Sequence, residues 1–248
     1  MKFYIKTDVG LRRATNQDAF CCARLSDGTE FTVLCDGMGG HRGGNLAAEI
    51  AVRGFREILG GQLHANLRPK DLKSILSGSI VRVSNLIADT ARENSDFAGM
   101  GSTVVLAVRC GKKLCVAHVG DSRAYLFRSG KLQRLTKDHS LVQSLIDSGQ
   151  ITAEEGETHP HRNVITRVLG YSEDMLPEIC ISDVKPGDRF LLCTDGLTVT
   201  VRDGELEKIL QENAPESLAD LLVARALDAG GPDNVTVGLM VEEEREGK

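Results

Sequence analysis

The sequence predicts an α+β fold, a four-layer α-β-β-α sandwich with two antiparallel β-sheets flanked by helix pairs. Three observations carry this expectation. KFYIKTD, VVLAVRC, KKLCVAHV, AYLFRSG followed by KLQRL, and NVTVGLM alternate apolar and polar residues, the period of half-buried strands. Long stretches between them hold apolar residues at helical spacing, so helices can cover the outer sheet faces. At 248 residues the chain suits one large two-sheet domain spanning 1–248.

Taken in order, the first strand runs into TDVGLRRATNQD at 7–18, where Arg12 and Arg13 precede Asp18. If this segment is extended, the two arginines point to opposite faces and only one reaches a shared site; Arg13 is the expected one. FTVLCDG at 31–37 is an apolar strand-like run that drives straight into Asp-Gly. Leu46, Ala47, Ile50, Ala51, Phe55, Ile58 and Leu59 then keep helical spacing until Gly60-Gly61, where the helix should stop. Pro69 opens a second helix with Leu72, Ile75, Leu76, Ile80, Val83, Ile87 and Ala91 on its apolar stripe. Ser140 to Arg162 reads as two short helices broken at Gly149, with Thr152 and Glu155 spaced as a capping box. Its Gly, Pro and His content suits a mobile cover, a flap at about 140–163, in which His159 and His161 are solvated rather than ligands. FLLCTDG at 190–196 is the second strand-like run into Asp-Gly, and Pro215 to Ala229 forms a last helix closed by Gly230-Gly231-Pro232.

Composition narrows the function. The net charge is −5 and the basic residues are dispersed, which argues against a nucleic-acid partner. The opening MKFYIKTDVGLRR lacks the apolar centre of a signal peptide, and no run approaches the 18 apolar residues of a membrane span. Cys35, Cys110, Cys115 and Cys193 lie in apolar runs, and seven is an odd count, so free thiols in a reducing cytoplasm are expected. The chain is expected to be freestanding.

Asp36, Asp195 and the acid of GGPDNVTV, Asp233, are remote in sequence, so only a packed fold can gather them. Converging carboxylates repel unless cations neutralise them. Carboxylate, carbonyl and water ligands favour Mg²⁺ or Mn²⁺, whereas zinc would call for closely spaced His or Cys. Two such ions about 3.5–4 Å apart would activate water for phosphate ester hydrolysis. Arg13 supplies the fork that binds a phosphate. Against this stands the plainer reading that each Asp-Gly closes a strand with a turn and that both arginines are surface charges.

Seven blocks, in order, then resemble the metal-dependent protein phosphatases of the type 2C (PPM) family in their compact bacterial form. They are GLRRATNQD at 10–18, CDGMGGHRGG at 35–44, GMGSTVV at 99–105, VAHVGDSRAYLFRSGKLQRLTKDHS at 116–140, NVITRVLG at 163–170, LLCTDGL at 191–197 and GGPDNVTV at 230–237. The resemblance implies that Asp36 bridges two ions, that the Gly37 carbonyl binds one of them, and that Asp195 and Asp233 bind the other. It also implies that Arg13 holds the phosphate, that Asp18 acts through metal-bound water, and that Asp121 is a candidate ligand for a third, weaker ion. His41 stands where the family offers a general acid for the departing serine or threonine oxygen. Two residues depart from the pattern. Val199 stands where many relatives carry the Asp or Asn that supports the third ion, and Gln17 where many carry Glu.

The expected activity is hydrolysis of phosphoserine and phosphothreonine on proteins, opposing a cognate Ser/Thr kinase, by a monomer that contacts neither nucleic acid nor membrane. A catalytically silent signalling module of the same fold is the alternative, and the intact acids speak against it. A cysteine-nucleophile phosphatase would need an arginine six positions after a cysteine, which none of the seven has. A kinase would need a glycine-rich phosphate loop that is missing, and a nuclease a basic track.

Overall fold

A computed structural model describes residues 1–171 and 176–243 of the chain, except the side chain of His41. The strands β1 (Lys2–Asp8), β2 (Asp18–Arg24) and β3 (Glu30–Met38) lead into two long helices, α1 (Gly40–Gln62) and α2 (Pro69–Glu93). After a 3₁₀ turn at Ser95–Phe97 come β4 (Gly101–Ser102), β5 (Val104–Cys110), β6 (Lys113–Val119), β7 (Arg123–Arg128) and β8 (Lys131–Arg134). The short helices α3 (Leu141–Asp147) and α4 (Ala153–Glu157) precede β9 (Glu178–Asp183) and β10 (Arg189–Cys193). The chain then forms α5 (Asp195–Thr198), α6 (Asp203–Glu212), α7 (Pro215–Asp228) and β11 (Val235–Val241).

One sheet has the order β1-β11-β10-β7-β8, the other β2-β3-β5-β6-β9 with β4 on β3. Every pairing is antiparallel. Because side chains alternate between faces, each central strand feeds two apolar layers. Phe31, Val33 and Cys35 of β3 pack with Leu72, Leu76 and Ile80 of α2, while Leu34 turns inward to meet Phe190, Leu192 and Met240 of the facing sheet. Leu191 and Cys193 of β10 face the other way, onto Leu206, Leu218 and Leu222 of α6 and α7. Three apolar layers between four structural ones give the expected sandwich.

The helices follow the sequence with one correction. α2 opens at Pro69 as expected, since proline lacks an N–H that the first helical turn would leave unpaired anyway. The helix expected to stop at Gly60-Gly61 continues to Gln62. Leu59 and Leu63 are both buried, and the Leu63 N–H donates to the Leu59 carbonyl at 2.9 Å, which outweighs about 1 kcal/mol per glycine. The edge strands β2 and β9 and the helix α6 were not anticipated, because short runs such as DAFCCAR carry a weak apolar signal. All seven cysteines are free, as expected. Among the described residues, no helix is long and apolar enough to cross a membrane. The charged tail 244–248 lies outside the described residues.

Candidate active site

Antiparallel register gathers the acids. Asp18, which starts β2, sits directly opposite Asp36 near the end of β3. In the other sheet the last residue of β10, Cys193, is paired with Val237 on one side and Arg123 on the other. Asp195 just past β10, Asp233 just before β11 and Asp121 just before β7 therefore emerge at one end of the sandwich. Asp36 feels the charges of Asp18, Asp195, Asp121 and Asp233, and Arg13 Nη2 donates to Asp233 Oδ2 at 2.7 Å.

The two Asp-Gly pairs are not turns. β3 runs through Asp36 and Gly37 to Met38, with Gly37 opposite Ser102 of β4. Asp195 and Gly196 lie in the first turn of α5. Both glycines serve close backbone approach instead. A Cβ on Gly37 would lie 1.9 Å from the Gly44 carbonyl oxygen, and one on Gly196 would lie 1.9 Å from that of Asn234. Asp36 itself is clamped at its backbone: its N–H donates to Thr103 Oγ1 at 3.1 Å, and its carbonyl accepts from the Thr103 N–H at 2.8 Å.

The segment carrying Arg13 is a loop, not a strand, so the opposite-faces argument does not apply; the loop's own path brings Arg13 to Asp233. Asn234 sets that path. Its Nδ2 donates to the carbonyls of Val9 (2.8 Å) and Thr15 (3.0 Å), and its Oδ1 accepts from the Gln17 N–H at 2.8 Å. Leu11, Arg12 and Arg13 are exposed. Gln17 uses its amide to donate to the Gly40 carbonyl at 2.8 Å, a bond that the glutamate of many relatives could not make.

Electrostatics single out this cluster. Burial pushes Asp18 up to about 7, with hydrogen bonds from Thr236 and Thr194 pulling the other way. Burial, then Asp195 and Asp138, pushes Asp121 up to about 8. Asp195 rises to about 6 through burial and Asp233, and Asp36 rises well above the ordinary range through burial and its four acidic neighbours. Asp18 Oδ1, Asp121 Oδ1 and Asp195 Oδ1 are enclosed and have no hydrogen-bond partner. Arg123, the other cation felt by Asp195, is already engaged by Asp138 at 2.7 Å. Orphaned, all-oxygen, anionic donors fit a hard divalent cation such as Mg²⁺ or Mn²⁺.

The remaining expected residues fall as follows. His41 lies in the first turn of α1, and its side chain is outside the described residues. Val199 caps α5 and is 54% exposed, and its side chain carries no oxygen ligand. The segment expected as a flap forms α3 and α4 with Thr152 and Glu155 in a capping box, and Arg202 just beyond α5 pairs with Glu157 of α4. His161 is exposed, and its backbone N–H donates to His159 Nδ1 at 3.1 Å. Sequence reasoning missed Thr103, Thr194, Asn234 and Thr236, although polar residues inside the apolar runs FLLCT and NVTVGLM were a visible signal.

A separate group, His118, His139 and Glu178, brings ligand atoms within 4.8 Å of one another. Its two rings stack at 4.6 Å and 15°, so their in-plane lone pairs run side by side and do not converge. His118 Nε2 donates to the Lys137 carbonyl and His139 Nδ1 accepts from the Gly120 N–H, which makes this a packed hydrogen-bonded pair.

The family profile of Protein phosphatase 2C matches residues 12–228. The chain belongs to the protein phosphatase 2C family. It is 36% identical to the Serine/threonine phosphatase stp of Listeria monocytogenes, over 96% of this chain and 94% of that one. It is 35% identical to the Serine/threonine protein phosphatase PstP of Mycobacterium tuberculosis over 96% of its own length, but spans only 44% of PstP. Staphylococcus aureus Stp1 superposes with a TM-score of 0.91 at 35% identity, covering 98% of this chain and 95% of that one. The catalytic domain of PstP, solved in complex with 2 manganese ions, superposes at 0.83 with 33% identity and 98% of each chain covered. The type 2C family expected from the seven sequence blocks is thus the one to which the chain belongs, and the expected sandwich is the family fold.

Proposed function

We propose that this protein phosphatase 2C member hydrolyses phosphoserine and phosphothreonine monoesters on proteins, using water activated by a pair of Mn²⁺ or Mg²⁺ ions. The observation that carries this reading is the convergence of five remote acids, three of them with enclosed, unpartnered oxygens, beside the half-exposed Arg13. Asp36, the Gly37 carbonyl, Asp195 and Asp233 would hold the ions. When bound, the ions supply charge neutralisation and an acidified water. The chain's own residues do the rest. Arg13, half exposed beside Asp233, would grip the phosphate in a two-pronged contact. Asp18, with its Oδ1 enclosed and unpartnered, would orient the hydration of the ions, and His41 would protonate the departing oxygen. Asp121 is the residue available to a third, weaker ion, which Val199 leaves poorly supported.

Relatives bearing the name serine/threonine phosphatase, and the manganese pair in one of them, support the substrate class and the metal. Residues 1–248 act as a single catalytic domain with the flap at about 140–163 as a cover. The protein works as a cytoplasmic monomer against the output of a cognate Ser/Thr kinase. Release of inorganic phosphate from a phosphothreonine peptide tests the reading. Turnover should require Mn²⁺, vanish with chelator, and fall at least a thousandfold in Asp36→Asn and Asp195→Asn, on the order of the 4 kcal/mol that lost charge stabilisation costs. Mn²⁺-loaded wild-type protein without turnover would instead indicate a silent binding module.

A further inference from the structure

Asp18 is held by a one-way chain of hydroxyl groups that the catalytic reading above does not use. Its Oδ2 accepts from Thr194 Oγ1 at 2.9 Å and from Thr236 Oγ1 at 2.7 Å. A threonine hydroxyl has one proton, and Thr236 gives its proton to Asp18; the 2.8 Å contact between Thr7 and Thr236 therefore has Thr7 as donor. Asn16 Nδ2 donates in turn to Thr7 Oγ1 at 2.8 Å. Thr194 Oγ1 accepts the Thr236 N–H at 2.9 Å, and Asn16 Oδ1 accepts the Asp18 N–H at 3.1 Å, which closes the circuit.

This chain crosses between the sheets. Thr7 belongs to β1 and Thr236 to β11, paired in register, while Asp18 begins β2 of the opposite sheet. Thr194 and Thr236 are fully buried among apolar strand residues, where valine has the same shape and no hydroxyl to satisfy. At Thr236 packing alone does not call for a hydroxyl; at Thr194 the hydroxyl oxygen also accepts the buried Thr236 N–H, so serine there is the variant that separates the two roles. The other oxygen of Asp18, Oδ1, is enclosed and unpartnered.

We propose that Thr194 and Thr236 are positioning residues of the active site: their hydroxyls lock Asp18 as a one-sided acceptor, Oδ2 tied to protein and Oδ1 left for the hydrated ions. Asn16 and Thr7 fix the direction in which those hydroxyls donate. The role rests on the ion-binding reading of the acid cluster. Carboxylates that orient bound metal are themselves held by hydrogen bonds, and losing such a support costs roughly 10–100-fold in metal affinity or activity.

The test compares Thr194→Val and Thr236→Val, which remove the hydroxyl and keep the shape, with Thr194→Ser and Thr236→Ser, which keep the hydroxyl. Mn²⁺ affinity of chelator-stripped protein is read by titration calorimetry, and kcat and KM on p-nitrophenyl phosphate at saturating Mn²⁺. The valine variants should bind Mn²⁺ about tenfold or more weakly and lose kcat with KM near wild type, and serine should restore both. Valine variants that bind and turn over like wild type, or serine variants that fail as badly as valine, would overturn the proposal. Thr7→Val strips only the far end of the chain and tests the same idea should Thr236→Val fold poorly; unchanged Mn²⁺ affinity there would count against it. Wild-type protein that binds no Mn²⁺ would instead overturn the ion site itself, and the threonine role with it.

Discussion

Gly37 and Gly196 show how a single hydrogen in place of a side chain can govern a catalytic centre. Each leaves room for a carbonyl oxygen that a methyl group would strike at 1.9 Å, so backbone from another part of the chain lies against the residue that follows each acid. Gly196→Ala should cost about 1–3 kcal/mol or more through overpacking against the Asn234 carbonyl, read as a lower denaturant midpoint. At the same scale His41 makes its own prediction. If it protonates the departing oxygen, His41→Ala should slow a phosphoserine peptide, whose alkoxide leaves poorly, far more than p-nitrophenyl phosphate, whose phenolate needs no proton. Equal losses on the two substrates would reject the acid role.

Among the elements, the loop between β1 and β2 presents Arg13, the proposed phosphate ligand, on the least regular structure. It has no strand or helix of its own and is held by the three hydrogen bonds of Asn234, a residue only 4% exposed. Asn234→Ala would strand the Gln17 N–H and two carbonyls. The expected result is a loss on the order of 1–3 kcal/mol in stability and a raised KM for phosphoprotein, because Arg13 loses its fixed approach. Wild-type KM in a folded Asn234→Ala protein would show that the loop keeps its path without the staple. The same residue explains part of what the sequence concealed. An asparagine beside a candidate metal-binding aspartate reads as one motif, whereas its partners Val9, Thr15 and Gln17 lie at the other end of the chain.

For the whole molecule, the acid cluster is a store of repulsion that a cation relieves. Without ions, native Asp195, Asp18 and Asp121 titrate near 6, 7 and 8, against 3.8 for an ordinary aspartate. Through these acids the folded state binds more protons than the unfolded one from about pH 4 upward, so their contribution to stability falls as pH rises, with Asp36 acting in the same sense and the buried, lowered His118 and His139 opposing it below about pH 6.5. Chelator-treated protein should lose Tm from pH 5 to pH 8. The rise in Tm on adding Mn²⁺ should be larger at pH 8 than at pH 5, since the ion binds the deprotonated acids. An ion-free Tm that is flat or rising across this range would mean that the carboxylates do not share the crowded, enclosed site described above.

Local pattern determined a great deal about this protein. The alternation in VVLAVRC and NVTVGLM placed strands, the stripe from Leu72 to Ala91 placed α2, and the ordered acidic blocks pointed to the chemistry. These properties depend on residues a few positions apart, where periodicity and residue type act directly. The tertiary structure decided what depends on distant approach: that Gly37 and Gly196 admit foreign backbone, that Arg13 arrives on a stapled loop, and that Thr194 and Thr236 clasp Asp18 across two sheets. A hydrogen bond has a range of about 3 Å in space and none along the chain, so partners more than two hundred residues apart leave no periodic trace in the sequence.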